Sequence, residues 1–160
     1  MNSIDTSRFG RVDYKDEDVL LFPKGIPGFE DRRNWVITGE ADDDIKWLQS
    51  IEDGGLALAV SHPRSIDPDY NVSVSRQDLN LIETDSLELV GILVVLTIPS
   101  DAPWNARANM RAPILVNSDK RLGRQVIVSE DSYPMQAYVF NEKVREELKK
   151  RCLTETEEAK

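Results

Sequence analysis

The sequence predicts a mainly β protein, an antiparallel barrel or sandwich. Apolar residues recur with a period of two rather than 3.6 along most of the chain. The apolar runs are short and are separated by Gly, Pro, Asp and Asn. Helical patterns do not alternate with them, which argues against a parallel α/β sheet.

The elements follow in order. Phe9, Val12 and Tyr14 lie in a short alternating stretch, and Val19-Leu20-Leu21-Phe22 is a short apolar run. Trp35–Thr38, Ile45–Ile51 and Leu56–Val60 read as strands. In Tyr70–Val74 the alternation puts Tyr70, Val72 and Val74 on one face, which predicts another strand. Leu89–Ile98 is β-branched, apolar on both faces and stopped by Pro99, so it belongs in the middle of the core. Ala112–Asn117 and Gln125–Val128, joined by a turn around Asp119–Gly123, read as a hairpin. One helical turn is expected over Asp78–Glu83 with Asp78 as N-cap. A longer helix is expected over about Glu142–Leu153, capped by Asn141, with Val144, Leu148 and Cys152 as its apolar stripe. Glu146–Lys150 and Glu147–Arg151 stand at the spacing of helical ion pairs. We expect one domain over residues 1–153 and a polar, frayed tail over 154–160.

Composition narrows the function. The 20 basic and 29 acidic residues leave a net charge of −9. That disfavours a general nucleic-acid binder, which needs clustered cations, and an anionic membrane would repel the surface. It suits a basic partner. One cysteine, Cys152, and one histidine, His62, leave no disulfide and no thiolate or multi-histidine metal centre. The first residues do not run from basic to apolar, and the apolar run near Leu89–Ile98 falls short of the roughly 20 residues a membrane helix needs. A cytoplasmic protein without cofactor or metal is expected.

Each candidate for chemistry has a plainer alternative. Gly25-Ile26-Pro27-Gly28 lacks the Lys-Ser/Thr of a phosphate-binding loop, and the following Glu30 would repel phosphate, so it reads as a turn. His62, before Pro63, reads as a loop-edge residue, and Cys152 as a small buried hydrophobe. Asp42-Asp43-Asp44 reads as a solvated loop tip; Lys46 falls where a calcium loop needs a ligand. Glu40–Asp53 as a whole combines six acids with Trp47 and Leu48, the mixture a surface for a basic, partly apolar partner would use. The competing reading makes Trp47 core and the acids rim. Trp104 is a second candidate contact, or a cap on the core.

Several segments in order resemble the flagellar assembly factor FliW family. They are Phe22-Pro23-Lys24-Gly25-Ile26-Pro27-Gly28-Phe29-Glu30, then Trp47-Leu48-Gln49-Ser50 leading through Glu52-Asp53 to Leu56–Val60 and Pro63, and then Asp69-Tyr70. Asn109-Met110-Arg111-Ala112-Pro113-Ile114, Gly123-Arg124-Gln125-Val126 and Tyr133-Pro134 complete them. Met110 stands where the family often has Leu, and the C-terminal helix lies outside the resemblance.

The resemblance implies a small, mostly antiparallel β-barrel and a non-enzymatic regulator. Such a protein binds the translational repressor CsrA and relieves repression of flagellin mRNA. It also binds flagellin in a chaperone-like way. An RNA-binding repressor carries basic surface, so an acidic chain has the complementary sign. The expected partner-binding residues are Asp42, Asp43, Asp44, Trp47, Glu52 and Asp53, with Phe29 and Glu30 second. Gly25, Pro27, Gly28, Asn109 and Pro113 are expected to serve the backbone instead. The alternative is a small hydrolase using a carboxylate pair, which would require two buried acids about 5–10 Å apart at the base of a pocket.

Overall fold

The computed structural model describes residues 2–39, 42–130 and 132–158, with backbone only over 154–158. The chain opens with β1 (Asn2–Thr6) and β2 (Gly10–Tyr14), an antiparallel ribbon paired only with itself. Its turn docks on the body of the protein, where the Ser7 amide donates to the Gly54 carbonyl at 3.0 Å.

Seven strands then close a barrel. They are β3 (Leu20–Leu21), β4 (Asn34–Thr38), β5 (Ile45–Ser50), β6 (Ala57–Ser61), β7 (Gly91–Thr97), β9 (Ile114–Asn117) and β10 (Leu122–Gln125). Consecutive strands β3 to β7 pair antiparallel, β9 and β10 form a hairpin, and β7 pairs back with β9 to shut the wall. The second strand of the hairpin lies three residues earlier than expected, at Leu122–Gln125 rather than Gln125–Val128, because the turn is tighter than Asp119–Gly123. One pair departs from the antiparallel pattern: β10 meets β3 in parallel at Leu122 and Leu21. The length of β7 makes closure possible. Gly91–Leu93 bond β9, while Leu96–Thr97 bond β8 (Arg107–Ala108), which carries β11 (Ala137–Tyr138) outside the barrel.

The period of two sorts side chains into two cores. Phe22, Trp35, Leu48, Val60, Ile114 and Val116 fill the interior. A small barrel has room for side chains and little else. Gly123 shows how tight that room is: a Cβ there would stand 2.4 Å from Cζ of the Phe22 ring. The second core lies on the outer wall, where Ala59, Val94, Leu96, Ala108 and Met110 meet Tyr70, Val72 and Val128. Strand β7 serves both, Leu93 and Val95 facing inward and Val94 and Leu96 outward. That is why its sequence is apolar on both faces.

Two local expectations are corrected. Residues Tyr70–Val74 are extended but form no ladder. The Asn71 amide donates to the Tyr133 hydroxyl and the Ser73 amide to a Glu130 carboxylate oxygen, both at 2.9 Å, so side chains take the place of a neighbouring strand. Tyr70 and Val72 are nevertheless buried, as the alternation required. The Tyr70 hydroxyl donates to the Met110 carbonyl at 2.9 Å, and burial pushes its pKa up to about 12. The short helix α1 spans Arg76–Leu81, and its cap is Ser75, whose Oγ accepts from the Asp78 amide at 3.1 Å. Asp78 instead pairs with Arg124 at 2.9 Å. Leu79 and Ile82 on and beside α1 pack against Leu115 and Val126.

The C-terminal helix α2 covers Glu142–Glu158, so its backbone runs five residues past the expected end, into the segment expected to fray. Asn141 caps it through a 2.9 Å bond from the Val144 amide, and Glu147 pairs with Arg151 at 2.8 Å. Val144, Leu148 and Cys152 are half-buried, and the helix packs against the turn Pro103–Asn105, where Trp104 is also half-buried. Residues 159 and 160 of the expected tail lie outside the described residues.

Candidate functional site

The sequence expects one acidic–aromatic patch between residues 40 and 53, but the strand between its halves separates them. Asp42–Asp44 precede β5 and Glu52-Asp53 follow it. Six extended residues span about 20 Å, so the two acid groups lie at opposite ends of one strand. The Asp42–Asp44 turn is exposed, and its base is tied down by Ser61 Oγ, which donates to the Asp44 carbonyl at 2.9 Å. Glu40 lies outside the described residues.

Trp47 sits mid-strand and half-buried. The Phe9 ring meets it edge-on at 5.9 Å, and the Arg8 guanidinium lies 4.0 Å from its ring centroid. The turn of the β1–β2 ribbon thus covers this expected anchor. The ribbon's second strand was foreshadowed by Val12 and Tyr14; its first, polar except for Ile4, carried no clear apolar signal.

Glu52 and Asp53 work within the chain. Glu52 Oε1 accepts from the Arg33 amide at 2.9 Å, the Asn34 amide at 2.8 Å and Asn34 Nδ2 at 2.9 Å. Burial opposes ionisation of this carboxyl, but the three donors outweigh it and hold its pKa below the ordinary 4.5. Stability from Glu52 is therefore present above about pH 4.5 and lost as the pH falls through its lower folded value. We expect the stability difference between the wild type and Glu52→Gln to be largest near neutral pH and to shrink below that point, as urea titrations at several pH values would show. Asp53 Oδ2 meets Arg32 at 3.3 Å while its Oδ1 accepts from the Gly55 amide at 3.0 Å.

Phe29 and Glu30 follow the Gly-Ile-Pro-Gly turn. Gly25 and Gly28 there have φ of +68° and +92°. Glu30 Oε1 accepts from the Gly28 amide at 3.1 Å, which lowers its pKa. Phe29 packs half-buried against the inner core. His62 is an exposed cap, its Nδ1 accepting from the Arg64 amide at 3.1 Å.

A more coherent site emerges elsewhere. An open groove of about 680 Å³ is lined by Ile26, Pro27 and Phe29 from the first signature segment, and by Asn109 and Gln125 from two later ones. Leu58 and Val95, which also pack on the inner core, form its floor. Among the described residues no Asp or Glu lines the groove and none is buried as a whole, although the Oε2 atom of Glu130, away from the groove lining, is buried. The carboxylate pair of a hydrolase therefore lacks its geometric requirement there.

Asn109 has a backbone task at the groove edge. Its Oδ1 accepts from the Arg111 amide at 3.2 Å and the Ala112 amide at 3.1 Å. We expect Asn109→Ala to cost about 1–2 kcal/mol of stability, with partner affinity of the folded protein unchanged. Thermal melts alongside calorimetric titration separate the two; a normal melt with lost binding would place Asn109 in the interface.

Fold and groove together define the class: a small closed β-barrel with an open, largely apolar groove built from segments far apart in sequence. A model described as FliW protein matches residues 3–139, and the chain belongs to the FliW family of flagellar assembly factors. The flagellar assembly factor FliW of Caldicellulosiruptor saccharolyticus is 34% identical over 132 residues, covering 82% of this chain and 86% of that protein. That of Caldanaerobacter subterraneus subsp. tengcongensis is 34% identical over 141 residues, covering 87% and 93%. A crystal structure of the flagellar assembly factor FliW superposes with a TM-score of 0.80 at 30% identity, covering 89% of this chain and 99% of that one. Among the described residues no helix is long and apolar enough to cross a membrane, and no cluster of His, Cys, Asp and Glu could hold a metal ion.

Proposed function

We propose that this protein is a non-enzymatic cytoplasmic regulator that binds the translational repressor CsrA, relieving repression of flagellin mRNA, and binds flagellin in a chaperone-like way. The observation that carries this reading is the groove. Signature segments around residues 25–29, 109 and 125 meet on one open apolar surface rather than around converging acids. Such a surface serves to hold another polypeptide. The −9 charge supplies long-range attraction to a basic repressor.

Of the acidic residues, Asp42–Asp44 are best placed to meet CsrA, since all three are exposed together on one turn. A pull-down from a flagellated bacterium, with and without nuclease, tests the function. Recovery of CsrA and flagellin in both arms supports it; loss of CsrA on nuclease treatment, or recovery of neither, sinks it. Reversing Asp42, Asp43 and Asp44 to Lys is expected to weaken CsrA binding about tenfold at low ionic strength and far less at 1 M salt. Unchanged affinity at low salt would remove this turn from the interface.

A further inference from the structure

One end of the groove carries an electrostatic mismatch. Among the described residues, Arg107, on β8, is the only charged one that lines it. Its Nη1 donates to Gln136 Oε1 and its Nη2 to the Tyr138 hydroxyl, both at 3.0 Å, and its guanidinium lies 4.7 Å from the Tyr138 ring centroid. A second guanidinium, that of Arg145 on α2, stacks on the same ring at 3.7 Å. Neither arginine forms an ion pair among the described residues. In a chain with nine more acids than bases, these two cations stack on one ring with no carboxylate against either among the described residues. Stacking on Tyr138 offsets their mutual repulsion in part and holds both planes in place. The bonds to Gln136 and Tyr138 occupy only two of the five N–H donors of Arg107.

We propose that the groove docks an apolar polypeptide segment of a partner protein that carries a carboxylate, and that Arg107 receives that carboxylate, with Arg145 adding to the local positive potential. The segment's apolar side chains lie along Ile26, Phe29 and Val95, with Met135, also lining the groove and 56% exposed, as a further apolar contact. A guanidinium held in a fixed plane suits a carboxylate because the two can bond through paired parallel hydrogen bonds. The groove thus selects a segment opposite in sign to the one the acidic surface attracts, so the protein presents two electrostatically distinct docking faces. This inference rests on reading the groove as a partner surface and is independent of which partner fills it.

Fluorescence anisotropy on the full chain tests it with two labelled peptides of leucine, alanine and serine that differ only in a central glutamate or glutamine. The glutamate peptide is expected to bind about tenfold more tightly. Arg107→Gln should erase that preference, weakening the glutamate peptide far more than the glutamine peptide, and Arg107→Lys should retain part of it. Met135→Glu should weaken both peptides, and thermal melts confirm that each variant folds. Equal binding of the two peptides, no binding of either, or a preference that survives Arg107→Gln overturns the proposal. A pull-down that recovers CsrA and flagellin alongside any of those results would refute the carboxylate seat and leave the regulatory function standing.

Discussion

Gly25→Ala is expected to destabilise the protein by about 3 kcal/mol or more, and Gly28→Ala, three residues on, by about 1 kcal/mol. Both glycines sit at positive φ, so each substitution costs the strain of placing an L side chain there. The difference is steric. A Cβ at Gly25 would lie 2.5 Å from the Glu30 Cα and 2.6 Å from its carbonyl oxygen. Those are backbone atoms and cannot rotate away. A Cβ at Gly28 would meet nothing within 4 Å. The damage at Gly25 would also spread to function, because the turn positions Ile26, Pro27 and Phe29 in the groove. Denaturant midpoints read the comparison, provided the slopes agree. Equal losses for the two variants would show that φ alone matters and that the close approach to Glu30 is relieved cheaply.

Trp35→Ala is expected to cost about 3–5 kcal/mol, a large share of the 5–15 kcal/mol that holds a typical domain together. Trp35 is fully buried in the barrel interior. Its ring meets Phe22 edge-on at 6.4 Å, and its Nε1 donates to the Arg32 carbonyl at 3.0 Å. Truncation leaves a cavity that strands on all sides prevent from collapsing, and it strips the Arg32 carbonyl of its donor. Trp35→Phe keeps most of the buried area and loses the hydrogen bond, so about 1–2 kcal/mol is expected. Urea unfolding of the two variants separates the contributions. If alanine costs no more than phenylalanine, the barrel interior is far more compliant than its packing indicates.

Local signals were legible where the physics was local. The β9–β10 hairpin lies within twelve residues, and its existence was legible there, but the apolar run Val126–Val128 drew the second strand three residues too far along the chain. Asn141 caps α2 through its own third neighbour. The both-face apolarity of β7 foretold a strand in the middle of the core, and the structure sets it between two cores. The Tyr70–Val74 segment shows where this reasoning stops. Its alternation correctly buried Tyr70 and Val72, but a ladder also needs a neighbouring backbone, and the groups opposite are the Tyr133 and Glu130 side chains from some sixty residues away. The displaced cap of α1 has a similar cause: Asp78 is drawn to Arg124, and Ser75 takes the capping role.

The candidate site divides along the same line. The signature segments mark Ile26, Phe29 and Asn109, but nothing in their spacing says they face a common groove. The acids from Asp42 to Asp53 are neighbours in the chain and are held apart by β5. Arg107, Tyr138 and Arg145 show no pattern in sequence and share one stack in space.

The order of residues alone determined the β class, the family, the acidic balance and the glycines of the 25–28 turn, because these depend on composition, on the two-residue period and on local backbone geometry. Tertiary structure alone decided barrel closure through β7 and β9, the covering of Trp47 by the β1–β2 ribbon, the commitment of Glu52 to backbone amides and the meeting of distant segments at the groove. Each of those is a contact between residues whose separation along the chain is unrelated to their distance in space, and only the folded path brings them within reach.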